Sequence, residues 1–167
     1  MRWLLTLVAA SVLVVGGSNV AHADPAMGAV SVTGAVHHPT TLTLDGLRAL
    51  PSQPQTVTFN SSEGPQVHTY VGAPLVDIVT AADPNVDLAR KHPLLAVAVV
   101  ATGADGYSAV ISWGELSPEL AGTPVLVAYV EDGQPLDRPT LVVPGDVEGA
   151  RYVSELTELR VVDLAPS

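Results

Sequence analysis

Short apolar runs rich in β-branched residues follow one another along the chain after residue 23, and each run ends at a cluster of turn residues. Valine, isoleucine and threonine fit the pleated, half-buried surface of a strand better than a helix. Residues 29–33, closed by Gly34, and residues 107–111, preceded by a Gly-Ala-Asp-Gly turn, show the pattern clearly. No repeat or linker interrupts it, so the sequence predicts one β-rich domain of the α+β class with a few short helices.

The positions of these runs predict the elements. The predicted strands cover residues 29–33, 55–60, 66–71, 94–101, 107–111, 125–130 and 140–143, and a closing element covers residues 153–164. The predicted helices cover residues 45–50, 75–82 and 113–116. Asp45 can cap the first helix, because its carboxylate accepts from free N–H groups there, and Pro51 ends it.

The N-terminus carries the one long apolar run. Arg2 precedes apolar residues 3–15, and residues 21–23 read Ala-His-Ala. A basic start, an apolar stretch shorter than the roughly 20 residues of a bilayer span, and an A-x-A end are typical of a secretory signal peptide. We therefore expect residues 1–23 to be a signal peptide, and residues 24–167 to be the mature domain, periplasmic or secreted. The alternative is a retained membrane anchor.

Charge and cysteine content exclude several classes of function. The chain has seven basic and 17 acidic residues, and Arg2 is lost with the predicted signal peptide. This balance argues against binding to nucleic acid or anionic membranes, which both require basic patches. The chain has no cysteine, so stability depends on packing, and no thiolate can serve as nucleophile, redox centre or metal ligand.

Residues 141–153, reading LVVPGDVEGARYV, have the pattern of a ligand loop. An apolar strand runs into the turn at Pro144 and Gly145, and a short acidic loop ends at Arg151. An arginine supplies several fixed hydrogen-bond donors, and Gly145 and Gly149 let the backbone approach a ligand closely.

Several short motifs occur in a fixed order along the chain. They are TG at residues 33–34 with LTLD at 42–45, GAPL at 72–75, DGYS at 105–108, LVA at 126–128 with GQPL at 133–136, and residues 141–151. In this order they resemble the molybdopterin-binding domain of the sulfite-oxidase-like oxidoreductases, over about residues 29–163. The resemblance implies the sulfite-oxidase-like molybdopterin-binding fold, with a pterin in a cleft between loops.

The chain departs from that family at the metal ligand. Family enzymes bind molybdenum through a cysteine in a Cys-x-Glu-Gly run, and by this resemblance Ser61 of the run at residues 60–64 stands in the cysteine position. A hydroxyl is a harder and less acidic donor than a thiol, so we expect no molybdenum. Some small exported members of the fold lack the cysteine, bind reduced pterins and signal to a membrane-bound enzyme, and this chain resembles them.

The resemblance and the loop pattern together predict the binding residues. The cofactor-binding set is Asn60, Ser61, Glu63, Tyr107, Pro144, Gly145, Gly149 and Arg151. The expected ligand is a pterin, either molybdopterin or a phosphate-free reduced pterin.

Each of the chemically active residues has a structural alternative. Arg151 can pair on the surface with Asp146, Glu148 or Glu155. Ser61 and Glu63 can belong to a solvated turn, and Tyr107 can be an aromatic of the core or the rim.

The histidines show no metal-ligand spacing. His37 and His38 are adjacent and point to opposite faces of an extended chain, while His68 and His92 are isolated in sequence. Without an H-x-H or HExxH pattern we predict no metal site, and without a G-x-S-x-G elbow we predict no hydrolase and no catalytic residue.

Three functions are compatible with the sequence. The first is an exported, non-catalytic pterin receptor that relays occupancy to a partner, either the exported domain of a membrane signalling protein or a redox subunit. The second is a molybdopterin-dependent oxidoreductase without the usual cysteine ligand. The third is an interaction domain in which the cleft has closed.

Overall fold

A computed structural model describes residues 28–165 and contains nine strands and three short α-helices in this range. The predicted signal peptide, residues 1–23, lies outside the described residues. Between residues 28 and 165, no helix has the length and apolar character needed to cross a membrane.

The strands form two sheets. The first has the order β2-β1-β9-β5-β6, with β1 at Val30–Gly34, β2 at Thr40–Leu42, β5 at Val97–Gly103, β6 at Ser108–Ser112 and β9 at Leu156–Asp163. The second has the order β3-β4-β7-β8, with β3 at Gln53–Ser61, β4 at Gly64–Pro74, β7 at Leu126–Glu131 and β8 at Gln134–Val142. Neighbouring strands are antiparallel except β1 and β9, which are parallel.

The main hydrophobic core joins the two sheets. Strands β1, β5 and β9 contribute to it from the first sheet, and β4, β7 and β8 from the second. Helix α2, Leu75–Ala82, adds Leu75, Ile78, Val79 and Ala82, which lie on one face because their spacing follows the helical period. Helix α1, Leu44–Arg48, is capped by Thr43, whose side chain accepts from the Gly46 N–H group, whereas Asp45, the predicted cap, lies in the first turn.

A smaller apolar cluster covers the opposite face of the second sheet. Its buried members are Val57, Tyr70, Leu126, Ala128 and Val142, and the partly buried Phe59 and Tyr152 pack against them. Tyr152 belongs to the segment after β8. The second sheet is therefore covered on both faces, and this segment supplies part of the cover.

The structure confirms the β-rich α+β prediction and corrects some boundaries. The predicted strand at residues 94–101 begins only at Val97, because Pro93–Ala96 forms a 3-10 turn. Strand β8 begins at Gln134, six residues before the predicted start, since Pro135 pairs with Val130. Strand β4 continues through the predicted break at residues 72–74 with a bulge after Val71. The short edge strand β2 was not predicted.

Candidate functional site

The segment after β8 leaves the sheet and returns to it. Leu141 and Val153 exchange backbone hydrogen bonds of 2.9 and 3.2 Å, so the residues between them form a closed excursion. Its central part, residues 144–151, is called the 144–151 loop here. The Asn60 N–H group donates to the Val147 carbonyl at 2.8 Å, and Asn60 forms a parallel bridge with Glu148. The end of β3 therefore holds the middle of the loop.

Arg151 is held by two carboxylates. Its Nε and one terminal nitrogen donate to the two Asp146 oxygens at 2.8 and 2.6 Å, and the other terminal nitrogen donates to Glu115 at 2.6 Å. The hydrogen bonds to Asp146 and Glu115 raise the pKa of Arg151. The structure thus matches the surface-pair alternative for Asp146, whereas the second partner, Glu115, lies 36 residues away and was not predicted.

Glu115 is positioned by the start of helix α3, Trp113–Leu116. Its carboxylate accepts from the backbone and side chain of Ser112, and the Ser112 hydroxyl accepts from the Glu115 N–H group, which makes a capping box. Burial alone would raise the pKa of Glu115, but hydrogen bonds from Arg151 and Ser112 outweigh it and lower the pKa below its ordinary value of 4.5. Glu115 is therefore a fixed anion that ties α3 to the 144–151 loop.

Tyr107 joins the loop to the start of β6. Its hydroxyl donates to the carbonyl oxygen of Ala150, and its backbone N–H donates to Asp105 at 2.9 Å. Tyr107 is 49% exposed. Tyr107 is thus a rim residue that contacts the loop directly, and a ligand could contact its exposed ring.

Gly149 packs against an aromatic ring. A Cβ atom at this position would lie 2.7 and 2.9 Å from two ring carbons of Phe59. Phe59 in turn contacts Tyr152, with ring centroids 4.5 Å apart. Packing against Phe59 is sufficient to explain the glycine at position 149. At Gly145 the reason is different, since its φ of +92° favours glycine and no atom lies within 4 Å of the Cβ position.

Ser61 and Glu63 lie in the tight turn between β3 and β4. The Ser61 hydroxyl donates to the Gly64 carbonyl at 3.3 Å and accepts from the Glu63 N–H group at 3.1 Å. Both residues are exposed. Within residues 28–165, no hydrogen bond joins either of them to the 144–151 loop.

The structure therefore brings part of the predicted set together. Asn60, Tyr107, Gly149 and Arg151 contact the 144–151 loop or belong to it, as do Pro144 and Gly145. Ser61 adjoins this group through Asn60, and Glu63 lies at the outer end of the hairpin.

Tyr152 is a polar residue of the site that the sequence analysis did not select. Its hydroxyl is buried and has no hydrogen-bond partner among the described residues. Burial, together with the nearby Asp146 carboxylate, raises the pKa of Tyr152 to about 12. A buried hydroxyl without a partner costs free energy, so this group can reward a ligand atom that bonds to it. The feature of the sequence that could have identified Tyr152 is its position directly after Arg151.

The charges of the site favour one kind of ligand. One arginine faces Asp146 and Glu115, and Glu148 accepts from the Asn60 amide at 3.4 Å. A phosphate would meet excess negative charge here, whereas the amino-pyrimidinone edge of a pterin offers N–H donors to carboxylates and a carbonyl to the guanidinium.

The residues fit a bound molybdenum poorly. Ser61, which by the resemblance stands in the cysteine position, has an exposed turn hydroxyl engaged by Gly64 and Glu63, and the chain has no thiol. An alcohol in this setting is a weak ligand for a metal that the family binds through sulfur. The site therefore suits the organic part of the cofactor better than the metal.

A cavity of about 340 Å³ lies beside α3 and outside this site. It is lined mainly by apolar side chains, among them Leu94, Trp113 and Leu120. None of the eight predicted residues lines it. Because its lining shares no residue with the predicted set, the cavity is a second location at which pterin binding can be tested.

Comparison with known proteins supports both the fold and the family. The family profile described as "oxidoreductase molybdopterin binding domain" matches residues 18–166. The crystal structure of the sulfane dehydrogenase SoxCD from Paracoccus pantotrophus is similar, with a TM-score of 0.66 and 19% sequence identity. The similarity covers 84% of this chain and 39% of that chain, and at this identity it shows the fold alone. A search of curated proteins found no match.

Proposed function

This chain belongs to the family of oxidoreductase molybdopterin-binding domains, and on that premise we propose that it is an exported pterin receptor without catalytic activity, which relays pterin occupancy to a partner protein. The observation that carries the proposal is the missing thiol. The family domain binds a pterin cofactor, and this chain keeps the domain while lacking any cysteine that could attach molybdenum to it. A domain of this kind would still bind the pterin but would have no metal redox centre.

The ligand of the proposal is a pterin without phosphate. Asp146 and Glu148 supply acceptors for the pterin amino and ring N–H groups, and the Tyr152 hydroxyl supplies a buried donor that has no other partner in residues 28–165. Arg151 uses three of its five N–H groups on Asp146 and Glu115, so two remain for a ligand carbonyl. These groups converge on the 144–151 loop.

Signalling by such a receptor requires two states of the loop. In the state described here, Arg151 pairs with Asp146 inside the loop and ties the loop to α3 through Glu115. A pterin that hydrogen-bonds to these carboxylates in place of Arg151 favours a second conformation of the loop. The population of that conformation rises only as far as the pterin binds it more tightly than the first. Val147 in the middle of the loop is 72% exposed, so a change in the loop would alter the surface that is open to a partner. The partner is the exported domain of a membrane signalling protein or a redox subunit.

The first experiment identifies the natural ligand. The protein is purified from its native compartment under reducing conditions, and the released ligand is analysed by fluorescence and mass spectrometry. We expect a reduced pterin. Protein that is empty and also fails to bind added tetrahydropterin by calorimetry refutes the proposal.

A pair of variants tests where the pterin binds. Arg151→Met is expected to weaken tetrahydropterin binding by about ten- to a hundredfold, since a lost hydrogen bond to a charged donor costs about 1.5–3 kcal/mol. Arg160→Met, which removes an exposed arginine on β9, is the matched control and leaves affinity unchanged. A reduced affinity in Trp113→Leu with normal affinity in Arg151→Met places the ligand in the cavity beside α3 instead.

Export is tested on the same preparation. N-terminal sequencing of protein from a cell-envelope or medium fraction should give Asp24 as the first residue. Protein that keeps residues 1–23 and sediments with membranes contradicts cleavage and favours an anchor.

Family membership itself favours a second function, a molybdopterin-dependent oxidoreductase with an oxygen ligand. Elemental analysis after expression with a full supply of cofactor decides between the two. Stoichiometric molybdenum that is lost in Ser61→Ala supports the enzyme, and its absence supports the receptor.

A further inference from the structure

Three potential metal ligands meet on the second sheet, where His68 lies beside the adjacent pair Glu131 and Asp132 from a distant part of the sequence. His68 lies on β4, Glu131 ends β7, and Asp132 begins the turn to β8. Their donor atoms all lie within 4.8 Å of one another. None of these residues belongs to the 144–151 loop.

The distances are close to those around a bound ion. His68 Nδ1 lies 2.8 Å from Asp132 Oδ2 and 3.4 Å from Glu131 Oε1. Donors at 2.0–2.2 Å from a tetrahedral zinc are separated by about 3.3 Å, so the distance from His68 to Glu131 already fits, and the distance from His68 to Asp132 would have to lengthen by about half an ångström. The side chains of His68 and Glu131 are 26% and 34% exposed, which leaves access for the ion and for a water ligand.

Neighbouring groups hold each ligand in place. The Thr69 N–H donates to the other Asp132 oxygen at 2.8 Å, and the Tyr70 hydroxyl donates to Glu131 at 2.8 Å. The Phe59 ring stacks on the His68 ring, with centroids 6.0 Å apart and an interplanar angle of 29°. Outer partners of this kind fix ligand orientation in metal sites.

The charge of the cluster is unbalanced without an ion. Two carboxylates face one imidazole, and within residues 28–165 His68 is the sole ion-pair partner of Glu131 and Asp132. Even a protonated His68 leaves one negative charge, whereas a divalent cation with a neutral imidazole balances both carboxylates. The overall charge of −10 favours cations further.

We propose that His68, Glu131 and Asp132 form a divalent-metal site of the zinc type, with three protein ligands and a position open to water. One imidazole nitrogen and two carboxylate oxygens are ordinary ligands for Zn²⁺. The sequence analysis predicted no metal site because it searched for close ligand spacings, and these ligands are brought together by the pairing of β4 with β7.

The test uses the full-length protein purified without a histidine tag, stripped with a chelator and dialysed. Zinc binding is measured by calorimetry and by elemental analysis after equilibration with ZnSO4. We expect one Zn²⁺ per chain. His68→Gln and Glu131→Gln should each weaken binding by about tenfold or more, while Glu131→Gln keeps an acceptor for Tyr70.

His37→Gln is the matched control, because it removes an exposed histidine outside the cluster. It should leave zinc affinity within about twofold of the parent value, and circular dichroism of each metal-free variant checks that it is folded. Substoichiometric zinc in the parent protein, or equal affinity in folded His68→Gln, overturns the proposal and leaves the cluster as an ion pair. Zinc binding is measured without pterin, so its failure does not bear on the receptor function.

Discussion

Replacing Gly149 by alanine tests the packing between the 144–151 loop and the second sheet. The new Cβ would lie 2.7 and 2.9 Å from ring carbons of Phe59, whereas carbon atoms in contact are normally about 3.5–4.0 Å apart. Loop and ring must therefore separate by about 0.8 Å. Phe59 cannot easily yield, because it also packs against Tyr152 and His68.

The expected cost follows from two opposing effects. Overpacking of a filled site costs about 1–3 kcal/mol. Because Gly149 does not have a positive φ, alanine also gains about 0.4–1 kcal/mol by restricting the unfolded chain. We expect the free energy of unfolding to fall by about 1–2 kcal/mol, which corresponds to a drop in Tm of about 3–8 °C.

Urea denaturation followed by tryptophan fluorescence measures this change. Gly46→Ala is the control, because its Cβ would lie 3.5 Å from the nearest atom, within α1, and should stabilise slightly. Phe59→Leu combined with Gly149→Ala should be less destabilised than the sum of the single variants, by about 1 kcal/mol. Full stability of Gly149→Ala, or strict additivity in the double variant, refutes the packing argument.

Three further predictions concern the same site. Arg151→Met should lower the free energy of unfolding by about 1–2 kcal/mol, because it leaves Asp146 and Glu115 unpaired in a half-buried setting; a urea titration that shows no loss contradicts this. Since the pKa of folded Glu115 is lowered, its stabilising contribution is present above the ordinary value of 4.5 and is lost as the pH falls through the folded pKa. Between pH 7 and pH 3 the free energy of unfolding should therefore fall less steeply in Glu115→Gln than in the parent protein. Equal slopes for the two proteins would contradict the lowered pKa of Glu115. Tyr152→Phe should keep or raise stability in ligand-free protein, because the lost hydroxyl is buried without a partner; a thermal melt showing a clear decrease would indicate a partner for it.

Local patterns in the sequence predicted most strands and helix α2, because alternation and helical spacing depend on nearby residues. The loop at residues 144–151 follows from the same kind of local pattern, because its glycines stand together in the chain, while its role as a ligand site stays a prediction. The order of motifs added Asn60 and Tyr107, which do contact this loop.

Contacts that depend on strand register could not be read from the sequence. Glu115 reaches Arg151 across 36 residues, and His68 meets Asp132 across 64. Gly149 is a similar case, since only the packed structure shows that Phe59 occupies the space a side chain would need. Strand β2, with three residues and two of them exposed, was too short and too polar to show an apolar pattern.

The parallel pairing of β1 with β9 has a consequence for biosynthesis. The last strand in the chain is the central strand of the first sheet, with β1 on one side and β5 on the other. Until residues 156–163 emerge, β1 and β5 have no strand between them, and the core that they share cannot close. Contacts between distant parts of a chain also form slowly. The first sheet of a nascent chain therefore stays incomplete until residues 156–163 have been synthesised, and its core forms only after this strand has joined β1 to β5.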